Sequence, residues 1–270
     1  MINKDTQLCI SVASRPGNFG TTLHNAAYAA LGLNFVYKAC GITDIAATMV
    51  GVRALGIRGC SVSMPFKEAV ITYLDELDET AQVIGAVNTI VNDAGRLTGY
   101  NTDVIGARVA LEALQARPSE SVLLLGAGGA ARAILFALRQ IGFNQVRVAG
   151  RDLEKIHRLD TILSCQPVAW AERQKAPVDL VINATSVGMN PNAESMPLEE
   201  AFIQQSRAVM DVVISPIETR LIGCARSAGK GVAPGYLMSL EQTMAQFTLY
   251  TGVKPPRNLM EQDMRRLLEL

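Results

Sequence analysis

An excess of positive charge, a paired set of cysteines and a long apolar run are all missing from this chain, and each absence removes a class of function. Lys plus Arg and Asp plus Glu number 25 each, so no cationic field draws the chain to nucleic acid or to an anionic membrane surface. Cys9, Cys40, Cys60, Cys165 and Cys224 are scattered and odd in number. They lack the spacing of a zinc site and fit reduced thiols in a cytoplasmic protein. The two histidines, His24 and His157, have no second His or Cys at ligand spacing, so no metal centre is expected. Nowhere do about 18 apolar residues run unbroken, and no apolar core follows a basic N-terminus, so neither a membrane span nor export is expected.

What is there is an ordinary mixture, 49% hydrophobic over 270 residues, long for one core and comfortable for two modest domains. The chain is organised around residues 121–132, Ser-Val-Leu-Leu-Leu-Gly-Ala-Gly-Gly-Ala-Ala-Arg. An apolar run ends in Gly126-x-Gly128-x-x-Ala131 and helix formers follow, the strand, turn and helix order of a dinucleotide-binding fingerprint. Gly126 permits the turn, Gly128 lets backbone approach a pyrophosphate, and Ala131 lets helix pack on strand. Phosphates would rest on the N–H groups of residues such as Ala127, Gly129 and Ala130 at the helix start, where the dipole favours negative charge. A plain β-α-β turn can carry the same string. A second β-type run, residues 146–150, ends where the fingerprint expects its ribose-reading residue. There Arg151 suits the 2′-phosphate of NADP, while an acid such as the adjacent Asp152 suits the ribose hydroxyl of NAD.

Before this stretch, strand-like runs at 8–13, 35–39 and 57–63 alternate with helical stretches at 22–31, 45–55 and from about Lys67. After it come strand-like runs at 178–182 and 209–213, helices at 152–163 and 219–228, and two last helices at 239–250 and 258–268. Residues 83–92 and 97–103 flank Ala94-Gly95, a hairpin-type turn. The alternation predicts an α/β chain with mostly parallel sheets covered on both faces. The expected division is 1–103, then 104–236, then C-terminal helices at 237–270.

Ligands in open α/β sheets collect beyond the carboxyl ends of strands. Ser61, Ser63 and Lys67 follow the third strand, Asn88 lies in an apolar run, and Asn101, Thr102 and Asp103 close the first half. Lys67 with Asp103 is suited to carbonyl reduction, in which a proton must reach the oxygen as hydride reaches the carbon. The same two residues also fit a solvated helix start and an N-cap.

Taken in order, Ser-Val-Ser-Met-Pro-Phe-Lys67, Gly-Ala-Val-Asn88-Thr, Gly-Tyr-Asn101-Thr-Asp103, Gly126-Ala-Gly-Gly-Ala-Ala131, Asn183-Ala-Thr-Ser-x-Gly188 and Gly235-x-x-Met238-x-x-x-Gln242 make the chain resemble shikimate dehydrogenase. The resemblance implies a substrate domain completed by the C-terminal helices, a Rossmann-type NADP domain, and reversible reduction of 3-dehydroshikimate. It implies Lys67 and Asp103 as the catalytic pair, with Asn88, Asn101 and Gln242 on substrate hydroxyls. Arg151 and the Gly126 turn would hold NADP phosphates, with NAD as the other cofactor; Thr185, Met189, Gly235 and Met238 would lie by the ribose and nicotinamide. The segment that normally holds the substrate carboxylate through two serines reads Asn18-Phe-Gly20-Thr21, leaving Asn18, Thr22 and Ser63 as donors. Ser61 and Ser63 stand for the usual Asn and Thr, Ile214 for a Tyr, and Gly150-Arg151-Asp152 for an Asn-Arg-Thr. The expected partner is therefore a small cyclic hydroxy acid, shikimate or a relative such as quinate or an amino analogue, acted on by a monomer or homodimer. A cofactor- or metabolite-binding relative without turnover, and another two-domain dehydrogenase acting on folate or an amino acid, are the competing readings.

Overall fold

The computed structural model describes residues 2–269. The chain forms two compact units, one running to Thr102 and resuming at Gln242, the other spanning Asp103–Glu241.

The first unit opens with β1 (Gln7–Ala13), α1 (Phe19–Ala30), β2 (Phe35–Gly41), α2 (Ile45–Ala54) and β3 (Gly59–Val62). It continues with β4 (Glu76–Leu77), α3 (Glu79–Ile84), β5 (Thr89–Asp93) and β6 (Arg96–Tyr100). The sheet order is β2-β1-β3-β5-β6-β4. Strands β1, β2 and β3 run parallel, whereas β5 and β6 form an antiparallel hairpin beside β3. Period-two alternation divides the side chains. Ile10, Val12, Ile45, Met49, Val52, Ile90 and Leu97 build a core on one face. Cys9, Tyr37 and the aromatic group His24, Tyr28, Phe247 and Tyr250 are buried together apart from it.

The second unit is α4 (Asp103–Ala113), β7 (Val122–Leu125), α5 (Gly129–Ile141), β8 (Val146–Gly150), α6 (Leu153–Leu163), β9 (Gln166–Ala169), β10 (Leu180–Asn183), α7 (Glu200–Gln204), β11 (Ala208–Asp211), α8 (Arg220–Ser227) and β12 (Gly231–Ala233). Every strand pair is parallel, in the order β12-β11-β10-β7-β8-β9. Strands β7, β10 and β11 are buried throughout and read as short apolar runs, the last two closed by Asn183 and Asp211. Helix α9 (Gly235–Thr251) begins in this unit and ends in the first, followed by α10 (Arg257–Leu267), which packs on α1.

Several elements differ from expectation. The helix expected from Lys67 is a turn followed by a short 3-10 segment, Ala69–Tyr73. Its β-branched Val70-Ile71-Thr72 run is a poor helix former, and the chain re-enters the sheet at Glu76. Val83 and Ile84 belong to a helix rather than a strand, because the Asp78 side chain accepts from Ala81 N and Gly85 ends the turn in the left-handed region. Helix α9 starts four residues before the expected Ser239, so Gly235 and Met238 are helical.

Candidate functional site

In the second unit, β7 turns through Gly126 into α5 at the point where strand order reverses, the place where open parallel sheets bind ligands. Gly126 has φ +110°, and a Cβ there would lie 2.8 Å from the Ala184 carbonyl oxygen, so no side chain fits. Gly128 precedes α5 in extended backbone and offers no side-chain cap, and nothing lies within 4 Å of the position a Cβ would take. The first N–H groups of α5 therefore lack the capping side chain that most helices supply, while Ala131 is fully buried against the sheet. A cradle of this kind suits the pyrophosphate of a dinucleotide. Ala127, Gly129 and Ala130, half-buried, complete it.

The neighbouring strand ends supply the rest. Arg151 is exposed just beyond β8. The Asp152 carboxylate accepts from Lys155 N at 3.1 Å, so it is tied to its own helix, α6. Asn183 at the end of β10 accepts from Thr185 N and Thr185 Oγ1 at 3.1 and 2.7 Å, and donates to Asp211 Oδ1 at 3.0 Å. Asp211 also accepts from Val213 N at 3.0 Å and Thr219 Oγ1 at 2.7 Å. Burial pushes its carboxyl up to about 6 despite these donors. This network fastens the loops beyond β10 and β11, which carry Thr185 and Met189. Gly235, where a Cβ would lie 2.7 Å from the Val212 oxygen, starts α9 hard against the β11 loop. Met238, one turn on, is buried against Gly106 of α4.

In the first unit the polar residues gather where β3 ends and β5 begins. Asn88 is 2% exposed. Its Oδ1 accepts from Thr102 N at 2.8 Å and Thr89 Oγ1 at 2.7 Å, and its Nδ2 lies 3.0 Å from Thr102 Oγ1. The Lys67 carbonyl accepts from Val87 N at 2.8 Å, and Asn101 Nδ2 donates to the Ala86 carbonyl at 2.8 Å. The Ala86–Asn88 segment thus anchors the turn carrying half-buried Lys67 and the strand end carrying Asn101. Ser63 is exposed, with its N–H on the Val12 carbonyl at 2.9 Å. Asn18, also exposed, precedes α1 without capping it through its side chain. Thr22 is half-buried in the first turn, and Gln242 is half-buried on α9. Asp103, 1% exposed, opens α4 immediately after Thr102.

Sequence reasoning passed over Thr89 as a partner of Asn88 and over the buried Asn183–Asp211–Thr219 network. It also passed over Gln246, whose spacing of four from Gln242 on one helix was the available signal. Among the described residues no three His, Cys, Asp or Glu side chains group in a way that could hold a metal ion, and no helix is long and apolar enough to cross a membrane.

Residues 19–90 match the family model of the shikimate dehydrogenase substrate binding domain. A shikimate dehydrogenase-like protein of Haemophilus influenzae is 43% identical over 262 residues, 96% of each chain. A Thermus thermophilus shikimate 5-dehydrogenase solved with NADP(H) and shikimate is 32% identical, with a TM-score of 0.86 over 98% of this chain and 99% of that one. A Corynebacterium glutamicum quinate dehydrogenase solved with NAD is 30% identical, with a TM-score of 0.88 over the same shares. With likeness extending over nearly its full length, the chain belongs to the shikimate dehydrogenase family.

Proposed function

We propose that this chain is an NADP-dependent oxidoreductase that interconverts shikimate, or a close cyclic hydroxy acid, with the corresponding ketone. The observation that carries this reading is the uncapped, side-chain-free turn from Gly126 into α5 at the sheet's switch point, in a chain whose relatives act on shikimate or quinate with NADP or NAD. NADP, when bound, supplies or accepts the hydride. The protein's own work is placement and proton transfer.

Gly126 to Ala130 and Arg151 are the proposed phosphate ligands, with Thr185, Met189, Gly235 and Met238 toward the ribose and nicotinamide. Asn18, Thr22 and Ser63 are assigned to the acid's carboxylate, and Asn88, Asn101 and Gln242 to its ring hydroxyls. In the reducing direction Lys67 gives a proton to the carbonyl oxygen as the carbon gains hydride, and it regains that proton from solvent. Asp103 is its carboxylate partner. The segment to Thr102 with the C-terminal helices is assigned to substrate, and Asp103–Glu241 to cofactor. Free thiols at all five cysteines support a reducing, cytoplasmic setting, and a monomer or homodimer suffices for this chemistry.

Quinate with NAD is the second reading, favoured by the quinate dehydrogenase likeness. Mixing the protein with NADP or NAD and a panel of ring hydroxy acids, and following absorbance of the reduced cofactor at 340 nm, separates the two. Lys67→Ala and Asp103→Asn are expected to lower kcat by about 10²–10⁴-fold, the range of general acid–base catalysis, with melting unchanged. Wild-type turnover by either folded variant removes the assigned roles, and no turnover of any acid by the native protein leaves a binding relative.

A further inference from the structure

One turn beyond Gln242, α9 buries a second carboxamide, Gln246, 3% exposed. Its Nε2 lies 3.1 Å from Ser61 Oγ, 3.0 Å from Thr89 Oγ1 and 3.3 Å from the Asn88 carbonyl oxygen. Register explains the meeting. Ser61 is paired with Ser11 on one side and Thr89 on the other, so the three form one polar row across β1, β3 and β5. Gln246 sits on that row.

The hydrogen bonds have a fixed direction. An amide nitrogen has protons and no acceptor, so Gln246 donates and Thr89 Oγ1 receives. The Thr89 proton then points to Asn88 Oδ1 at 2.7 Å, which also receives Thr102 N–H at 2.8 Å. Two donors fill that oxygen, so the Asn88 nitrogen is the donor end of the carboxamide, and it gives one proton to Thr102 Oγ1 at 3.0 Å. Beside Gln246 stands His24, fully buried and stacked 4.3 Å from Tyr37. Tyr28 on α1, Tyr250 on α9 and the thiols of Cys9 on β1 and Cys60 on β3 complete the titratable groups of this pocket, and all are held neutral by burial.

We propose that Gln246 is a positioning residue for recognition of the ring acid: acting through Thr89, it locks the Asn88 carboxamide with oxygen inward and nitrogen as the end that meets a ring hydroxyl. This rests on the assignment of Asn88 to substrate made above. It makes affinity for the acid, and not for the cofactor, depend on a side chain that never touches the ligand.

Steady-state kinetics of Gln246→Leu, Gln246→Glu, Thr89→Val and Thr89→Ser test it, with wild-type protein in parallel and melting recorded for each. Gln246→Leu and Thr89→Val are expected to raise KM for the acid about 10-fold, the scale of one lost hydrogen bond to an oriented polar group. KM for NADP and kcat should stay within about threefold, and the double variant Gln246→Leu/Thr89→Val should be no worse than either single one. Thr89→Ser, which keeps the hydroxyl, should restore wild-type KM. Gln246→Glu supplies a proton only while its carboxyl is protonated. Its KM, taken relative to wild type, should therefore approach wild type at low pH and worsen as pH rises, while Gln246→Leu stays flat. A folded Gln246→Leu or Gln246→Glu with wild-type KM at every pH overturns the proposal, as does an equal rise in both KM values or additive single effects. Wild-type protein that ignores every ring acid removes the functional reading itself, and this proposal with it.

Discussion

At the scale of single residues, the departures from family pattern become measurable. At Gly20 a Cβ would stand 3.3 Å from Tyr37 OH, tight by a few tenths of an ångström but not blocked. Gly20→Ser therefore regains a hydroxyl at the start of α1 if Tyr37 yields slightly. A hydrogen bond to a charged group contributes about 1.5–3 kcal/mol, so the expected gain in affinity for the acid is about 10-fold or more, with a melting point lower by a few degrees. Unchanged affinity in the folded variant would show that this turn does not face the carboxylate. His24 makes a second prediction. Burial lowers its pKa to about 3 from an ordinary value of 6.5. A base whose folded pKa lies below its unfolded one leaves the unfolded chain binding more protons as pH falls. Stability should therefore be intact above pH 6.5 and decline through pH 3, by roughly 4–5 kcal/mol for a shift of that size. Asp211, raised to about 6, works with the opposite sign, favouring its fold below its ordinary value and losing that favour as pH rises through 6. Hydrogen exchange corrected for intrinsic rates should show residues of the first unit opening first in acid. His24→Phe, which keeps an aromatic ring on Tyr37 without a titrating nitrogen, should flatten the decline, and persistent acid lability in that variant would place its cause elsewhere.

At the scale of elements, the turn from β7 into α5 bears the cofactor assignment. Gly126→Ala adds a Cβ at φ +110° and drives it against the Ala184 carbonyl. Such backbone strain costs of order 1–3 kcal/mol, and the turn must shift, so NADP affinity should drop at least about 10-fold by calorimetry while the acid still protects the first unit from exchange. Equal cofactor binding would mean the phosphates lie elsewhere. How far the elements were legible follows the same physics. Strands β7 and β8 stood out because buried parallel strands are short apolar runs bounded by turn residues, and α5 because small and apolar residues repeat along one face. Edge strand β9 did not, since Pro167 interrupts its pattern and only an edge tolerates that. Nor did β12, three residues opening at Gly231. The polar residues at strand ends were readable by type. The hydroxyls of Thr89 and Thr102 were not, because a row across β1, β3 and β5 is set by register between distant segments.

At the scale of the whole molecule, the chain passes between its two units at Thr102–Asp103 and again within α9 at Glu241–Gln242. The second unit is thus one continuous segment, and the first is made of two pieces. A fragment of residues 103–241 should melt cooperatively and gain stability from NADP(H); absence of any transition would show that it depends on the rest. A chain stopped at Glu241 loses Phe247, Tyr250, Met260 and Met264, none more than 2% exposed. At about 2–5 kcal/mol for each buried large side chain lost, the four together match the net stability of an ordinary domain. Its first unit should show no protected amides, and native-like protection there would sink the idea that the C-terminal helices complete that core. Both crossings also fall beside residues assigned to the chemistry, Asp103 at one and Gln242 at the other. Exchanging the nucleotide half for another therefore needs two joins in one gene, each lying beside a residue assigned to the chemistry.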